Sequence, residues 1–571
     1  MEWIEINHPE YFVLLSEMVK RKQLEILSGA FYDPILPIIS NADKLGQIEK
    51  STTFIRKHFG KKPRGCWITE MAWDPSLAYT LKSSGMEYTI LNDDQLSCTG
   101  INEENMYSPY ITEEQGKTIS VFINLKKLTE LLERSSLSEL INEINLIRER
   151  RSNSLIVIAA SSKAIGKNGF EQFEEFLKYL RNNRKRLILQ SPTMYLRGKL
   201  PEKRIYIPET QCNKSEYFSR NYLSQNEDVN LLCSRMIHTT ILVNQLRGDK
   251  YKKRAARNEL WKGQCNSVYW DSYKGGIYNN RLRKAAYRAF LETEKIIRAD
   301  SEFIPSVLTV DFDMDGKKEF LYQGKVINAY VHQKSGSVIE LDYIPSSWNY
   351  LDTVNRKQES FDKTGSLNAK YSAKAFIDRF LPQEEGMDNF KSGKAIEVGD
   401  FSASNYTVAD INTGKQSIQF RKTGYIFLKG NENAFRIEKK YTFRQNTIYI
   451  SYILSNLSEK ELSFKFGVEL NLSLTLNKIA DYKVSVINSG NMEELDVSKP
   501  LERKGMQSFS IADTYNNTLI LVNPSAMSGF WTYPVYYNNM YQYTFFMPYW
   551  EMNLKSGEIV KCYLSVKLKR F

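Results

Sequence analysis

The stretch Gly65-Cys66-Trp67-Ile68-Thr69-Glu70-Met71-Ala72-Trp73-Asp74-Pro75 couples a short apolar run to an abrupt carboxylate. Polar Lys61-Lys62-Pro63-Arg64 precedes it, so the run reads as a buried strand that delivers Glu70 at its C-terminal end. Helix signals follow: Asp74 as N-cap, Pro75 at the first helical position, Leu77, Ala78 and Leu81 on one face, and Gly85 at the stop. Tyr88 to Leu91 is a second apolar run, closed by Asn92-Asp93-Asp94. The unit is strand, helix, strand. In parallel α/β folds the loops at strand C-termini carry chemistry on a rigid frame, which makes Glu70 a candidate working carboxylate. The competing reading is that Glu70 caps the next helix or solvates a loop.

The same alternation extends in both directions. Helical periodicity over residues 8–21 leads into a strand at Gln23–Leu27 and the loop Ser28 to Pro34, then a helix over 40–59. Strands at Thr118–Ile123, Leu155–Ala159 and Leu187–Leu189 alternate with helices at Leu137–Glu149 and Phe170–Leu180, which implies a parallel sheet wrapped by helices. Residues 215–299 are helical in pattern. From about residue 303 short alternating runs recur between Asn, Gly and Ser turns, at Tyr330–Leu341, Phe435–Tyr441, Ile448–Leu454, Phe464–Leu474 and Tyr482–Ile487. That is β-sandwich patterning. The expected domains are residues 1–214, 215–300 and 301–571.

Composition narrows the partners. A chain of 571 residues suits about three domains. Aromatics reach 13%, which serves sugar stacking and sandwich cores equally. The net charge of +12 is dispersed among acids, as in Arg148-Glu149-Arg150-Arg151, and the basic runs Arg181–Arg186 and Lys250–Arg257 lie in helical context as solvated faces. No nucleic-acid motif accompanies them. The six cysteines, Cys66, Cys98, Cys212, Cys233, Cys265 and Cys562, are widely spaced, as expected of reduced thiols in a cytoplasmic protein. No apolar run is long enough to span a bilayer and no signal peptide is visible. The four histidines, His8, His58, His238 and His332, have no acids at ligand spacing. Asp311, Asp313 and Asp315 with Gly316 have the alternation of a calcium loop, but no Glu stands at its last position, so they read as a turn entering a strand. Neither metal nor cofactor is expected.

With these pieces placed, the sequence resembles family 57 glycoside hydrolases of the 4-α-glucanotransferase and α-amylase branch. Gly29-Ala30-Phe31-Tyr32-Asp33-Pro34 resembles the family's G-F-Y-E/D-P segment, and Gly65 to Glu70 resembles its G-x-W-L-T-E nucleophile motif. Ala256-Arg257-Asn258-Glu259-Leu260-Trp261-Lys262-Gly263-Gln264-Cys265-Asn266, with Tyr269-Trp270 and Gly275-Gly276-Ile277-Tyr278, is similar to the helical region after the barrel. Asp311 to Gly316, Glu340 to Tyr343, Glu397 to Phe401 and Phe466 to Asn471 are similar to the C-terminal sandwich. The resemblance implies a (β/α)7-type barrel, a helical segment and a β-sandwich. It also implies retaining chemistry, with Glu70 as nucleophile and a second carboxylic acid as proton donor. Substrate-side positions would be Tyr32, Asp33, Trp67, Trp73, Asp93, Trp270 and Asp271, although the aromatic ones fit a barrel core as well. The ligand implied is an α-glucan or maltooligosaccharide.

The acid is where this chain departs. Against the family's D-D-G-E-K-F-G, it reads Ala159-Ala160-Ser161-Ser162-Lys163-Ala164-Ile165-Gly166, with Ala160 in the acid's place. A methyl group donates no proton. Glu171, Glu174 and Glu175 on the following helix are the nearest substitutes in sequence. Gln95 and Asp271 stand where the family has histidines, and Ile165-Gly166-Lys167-Asn168-Gly169 lacks the stacking Trp of F-G-x-W-P. The H-x-H-Q-P strand is also absent, since only 69 residues precede Glu70, so the barrel is expected to lack its first strand. The expectation is a glucan-binding protein with lost or strongly reduced catalysis. The alternatives are an active transferase or hydrolase with a substitute acid, or a non-catalytic partner-binding protein.

Overall fold

The computed structural model describes residues 2–134, 136–151, 153–168, 170–209, 219–270, 275–299, 303–355, 373–428, 430–475, 481–488 and 490–571. Asp271 and Gly169 lie outside the described residues. The chain divides into two compact units, residues 1–227 with 264–266, and 228–263 with 267–571. Of the segment expected to be helical, residues 228–263 and 267–299 fall in the second unit.

In the first unit β1 (Gly65–Cys66), β2 (Tyr88–Asn92) and β4 (Lys117–Asn124) form a parallel ladder, with β3 (Tyr110–Glu114) antiparallel to β4. Parallel bridges from Ser28 to Cys66 and from Asn124 to Val157 extend it, so the parallel order is Ser28, β1, β2, β4, Val157. Alternating helices and short strands dictate this arrangement, because a parallel crossover needs a helix to return the chain. Gly65 is obligatory at the start of β1: a Cβ there would stand 2.3 Å from the Tyr88 ring and 2.6 Å from Leu27. Tyr88, Ile90 and Phe122 form the sheet's core with Leu27, Leu155, Val157, Tyr195 and Leu196.

Local differences from the sequence reading have physical causes. The helix after Glu70 spans Leu77–Ser83, two residues later than its Pro signal, because the Asp74 carboxylate closes a turn onto the Ser76 N–H at 2.9 Å. Leu77, Ala78 and Leu81 are buried as the spacing requires. Leu187–Leu189 joins no ladder, and Ile188 and Leu189 are 75% and 71% exposed. Apolar composition alone marked it, and tertiary pairing decides strands. The run Tyr330–Leu341 is a hairpin, Ile327–Val331 with Val338–Tyr343, turned at His332–Ser337.

The second unit carries two large sheets. One runs in the order Leu501–Met506, Ser528–Tyr537, Met540–Leu554, Leu462–Leu472, Ala375–Leu381, Val338–Tyr343, Ile327–Val331, Glu319–Gln323, Ser306–Val310. The other runs Thr407–Asn412, Ser417–Leu428, Asn431–Arg444, Thr447–Asn456, Ile559–Arg570, Thr518–Pro524, Ser508–Asp513, Tyr482–Asn488, Asn491–Leu495. Period-two alternation puts Phe435, Ile437, Tyr441 and Phe443 of one strand into a shared core with Phe380, Phe464 and Phe466 of the facing sheet. Each such side chain contributes roughly 1.5–3 kcal/mol by leaving water.

Helices Glu227–Gln245 and Asn280–Arg298 pack on this sandwich through buried charge, and Lys250–Gly263 packs on Asn280–Arg298. Arg235 is fully buried and donates to Glu294 at 2.5 Å and Asp342 at 3.0 Å, and Arg298 reaches Glu294 at 2.5 Å. Removing one partner would leave a charge unpaired in low dielectric, a cost of about 3–5 kcal/mol.

Candidate functional site

Glu70 sits just past β1, on the short turn Thr69–Met71, and is half-buried. Its backbone is left-handed (φ 54°, ψ 16°), as is that of Met71 (φ 53°). Two successive side-chain-bearing residues in this region cost about 1–3 kcal/mol each, and such strain persists only where neighbours over-determine it. The neighbours are visible. The Met71 carbonyl accepts the Gln95 side-chain amide at 2.7 Å, and the Thr69 hydroxyl donates to the Asp33 carboxylate. Ahead of the turn the Trp67 N–H donates to the Ser28 carbonyl at 2.8 Å.

Asp33 is itself left-handed (φ 56°) and is held from two sides. Asn266 donates its amide to the Asp33 carbonyl at 2.7 Å and to its carboxylate at 3.1 Å, and its backbone N–H reaches the same carbonyl at 3.1 Å. Tyr32 lies beside it, its N–H on Gln47 at 3.0 Å and its hydroxyl accepting from Lys50 at 2.8 Å. Gln47 in turn bonds Gln264 at 2.8 Å, which bonds Asp43 at 3.1 Å. Asp33 and Tyr32 are thus brought to the turn that carries Glu70 by way of Thr69. The motif Gln264-Cys265-Asn266 was quoted for the family resemblance, yet its orienting role was invisible, because nothing in one sequence links residues 33 and 266.

A second relay ties the strand ends together. Asn92 closes β2 and Asn124 closes β4. The Asn92 N–H donates to the Gln95 side-chain oxygen at 3.0 Å, and the Asn124 amide donates to Asn92 at 2.8 Å. The Asn124 oxygen accepts both the Thr129 hydroxyl and the Ala159 N–H at 2.8 Å. The chain Met71, Gln95, Asn92, Asn124, Ala159 thereby fixes the loop holding Ala160 in register with the turn holding Glu70. An Asn at the ends of two neighbouring parallel strands was the available signal.

Ala160 is half-buried between two backbone anchors, Ala159 on Asn124 and Ser161, whose N–H donates to Glu133 at 2.7 Å. Glu133 is the carboxylate the fold brings beside Ala160, and it sits at the N-terminus of helix Ser162–Asn168. Glu171, Glu174 and Glu175 are exposed on helix Phe170–Asn182, with Glu174 paired to Lys178 at 3.0 Å.

The remaining candidates divide. Burial raises the Asp93 carboxyl above its usual range, against the donors that hold it: the Asp94 N–H at 2.9 Å and the Lys126 N–H at 3.2 Å, where it caps helix Lys126–Glu133. Trp67 is half-buried. Trp73 is fully buried with its indole N–H on the Ile207 carbonyl at 3.1 Å, which favours the barrel-core alternative for this side chain. Trp270 is buried as well.

This geometry can hold a carboxylate poised at a strand end, with a hydrogen-bonded Asp beside it and a methyl group at the position the motif gives to an acid. Residues 1–208 match glycosyl hydrolase family 57, residues 217–297 the alpha-amylase/4-alpha-glucanotransferase middle domain, and residues 311–370 and 368–559 its C-terminal domain. Residues 1–208 thus carry a family 57 domain, followed by middle and C-terminal domains of the alpha-amylase/4-alpha-glucanotransferase type. It is 26% identical over 555 residues to an alpha-amylase 1 of Dictyoglomus thermophilum, covering 84% of this chain and 79% of that one. A 4-alpha-glucanotransferase of Thermococcus litoralis is 26% identical over 549 residues, covering 83% and 80%. The crystal structure of the 4-alpha-glucanotransferase from Thermococcus litoralis superposes with a TM-score of 0.85 at 22% identity, over 100% of this chain and 91% of that one. This chain therefore shares that structure's fold, in keeping with the expected α/β barrel-type unit, helical segment and β-sandwich. Among the described residues no helix is long and apolar enough to cross a membrane.

Proposed function

We propose that this family 57 protein binds α-1,4-glucan or maltooligosaccharide and has lost, or nearly lost, the ability to cleave it. The observation that carries this reading is Ala160, a methyl group on a loop whose flanking backbone is anchored to Asn124 and Glu133. Glycosyl transfer through Glu70 needs a proton on the leaving oxygen, and absence of the donor costs roughly 10²–10⁴-fold, more for a poor leaving group. The glucan half of the proposal rests on the amylase and glucanotransferase relatives and on retention of the Glu70 turn with its Asp33 and Asn266 supports.

Two measurements test it. Purified protein incubated with maltoheptaose should yield no new chain lengths at any pH; disproportionation that vanishes in Glu70→Gln would instead establish a working enzyme with a substitute acid. Electrophoresis through gels containing glycogen or amylose should retard the protein. Unretarded migration would leave a partner-binding role and sink the glucan reading.

A further inference from the structure

The loop between strands Ser306–Val310 and Glu319–Gln323 brings Asp313 and Asp315 to Glu319, at the start of the second strand, and to His332, just past Ile327–Val331, all far from Glu70 in sequence. Ligand atoms of Asp313, Asp315, Glu319 and His332 all lie within 4.8 Å of one another. Acidic clusters are common, but this one contains a group that points to a ligand. Glu319 is fully buried, one of its oxygens accepts the Phe312 N–H at 2.7 Å, and the other, Oε1, is buried with no hydrogen-bond donor. An orphaned carboxylate oxygen in the interior is costly unless a cation meets it.

Sequence spacing gives the same assignment. Counting Asp311 as the first position of a calcium loop, Asp313 is third, Asp315 fifth, Gly316 sixth and Glu319 ninth. Gly316 turns through φ 87°, and its N–H donates to Asp311 at 3.1 Å. The twelfth position is Tyr322, a buried phenol, so the usual closing Glu is missing; the buried Glu319 carboxylate is the third anionic ligand in its stead.

His332 decides the class of ion. Its Nδ1 accepts the Lys334 N–H at 2.8 Å, so the neutral ring carries its proton on Nε2. That Nε2 faces the acids, 3.5 Å from Asp313, 3.6 Å from Glu319 and 4.0 Å from Asp315, beyond normal N–H···O bonds. A protonated nitrogen has no lone pair for zinc or copper, but it can bond the outer oxygens of carboxylates that hold a metal. We infer that Asp313, Asp315 and Glu319 form an oxygen-only site for a hard divalent cation of the calcium class, braced by His332, which staples the loop at the edge of the sandwich.

Full-length protein dialysed against chelator and titrated with CaCl2 in a calorimeter should bind one ion per chain, and its thermal midpoint should rise in calcium. Asp313→Asn and Asp315→Asn, isosteric changes at partly exposed positions, should weaken binding tenfold or more and abolish the thermal shift, whereas His332→Gln should keep it. Absence of both heat and shift up to millimolar calcium would overturn the site. Tighter binding of MgCl2 or ZnCl2 than of CaCl2, or loss of calcium binding in His332→Gln, would overturn the ligand set.

Discussion

Gln95 donates its side-chain amide to the carbonyl of Met71 at 2.7 Å, so the residue standing in place of the family's histidine braces the left-handed turn that presents Glu70. The same side chain accepts the Asn92 N–H at 3.0 Å, which joins that turn to the end of β2.

Truncation at this joint should therefore loosen two elements at once. Gln95→Ala leaves a carbonyl and an N–H without these partners, and a loss of about 1–3 kcal/mol is expected. Urea denaturation followed by circular dichroism measures it; an unchanged midpoint would mean the strained turn holds itself.

Restoring a proton donor is the sharpest probe of the silent-enzyme reading. Ala160→Asp should gain maltooligosaccharide disproportionation by roughly 10²–10⁴-fold over the parent, within the range assigned to general acid catalysis. The gain should disappear in the double variant with Glu70→Gln. Equal inactivity of parent and Ala160→Asp would show that more than the acid has been lost.

Trp73 offers a separation of packing from binding. Trp73→Phe removes the indole N–H from the Ile207 carbonyl, and a stability loss of about 1–2 kcal/mol is expected with no change in retardation on amylose gels. Weaker retardation at unchanged stability would return this residue to the sugar site.

A pH experiment can address the second unit. Burial first, then the nearby Arg235 charge, pushes the His238 imidazole from 6.5 down to about 4. Its Nε2 stands 3.1 Å from the Gln323 amide, and its ring packs edge-on against Phe312 and Tyr330. Because the folded value is depressed, the unfolded chain takes up this proton first as pH falls. Stability from neutral His238 is present above pH 6.5 and lost down to about pH 4, by about 3 kcal/mol at most. His238→Gln should lose correspondingly less over that window. Parallel stability curves for the two proteins would refute it.

The sequence reading succeeded where a local pattern had one structural solution. Leu77, Ala78 and Leu81 fall on one buried face, and the strand Thr118–Ile123 is observed as Lys117–Asn124, because period and burial coincide there. Tyr110–Glu114 went unread, since its partner Lys117–Asn124 and a tight turn make the strand rather than its own composition. At the candidate site the place of Glu70 just past a strand was legible from the apolar run before it. The clamps on Asp33 by Asn266 and on Met71 by Gln95 were not, because hydrogen bonds between distant residues leave no periodicity. The closing ligand of the Asp313 loop was illegible for a related reason: Glu319 opens a buried strand instead of standing at the loop's last position.

Arg235 has an engineering corollary. Its counter-charges come from a helix, Glu294, and from a sheet strand, Asp342, so neither element can be exchanged without stranding a guanidinium in oil. Any chimera that imports a foreign sandwich must import the counterparts of residues 228–263 and 267–299 with it, while Gln264 to Asn266 stay with the unit whose Gln47 and Asp33 they hold.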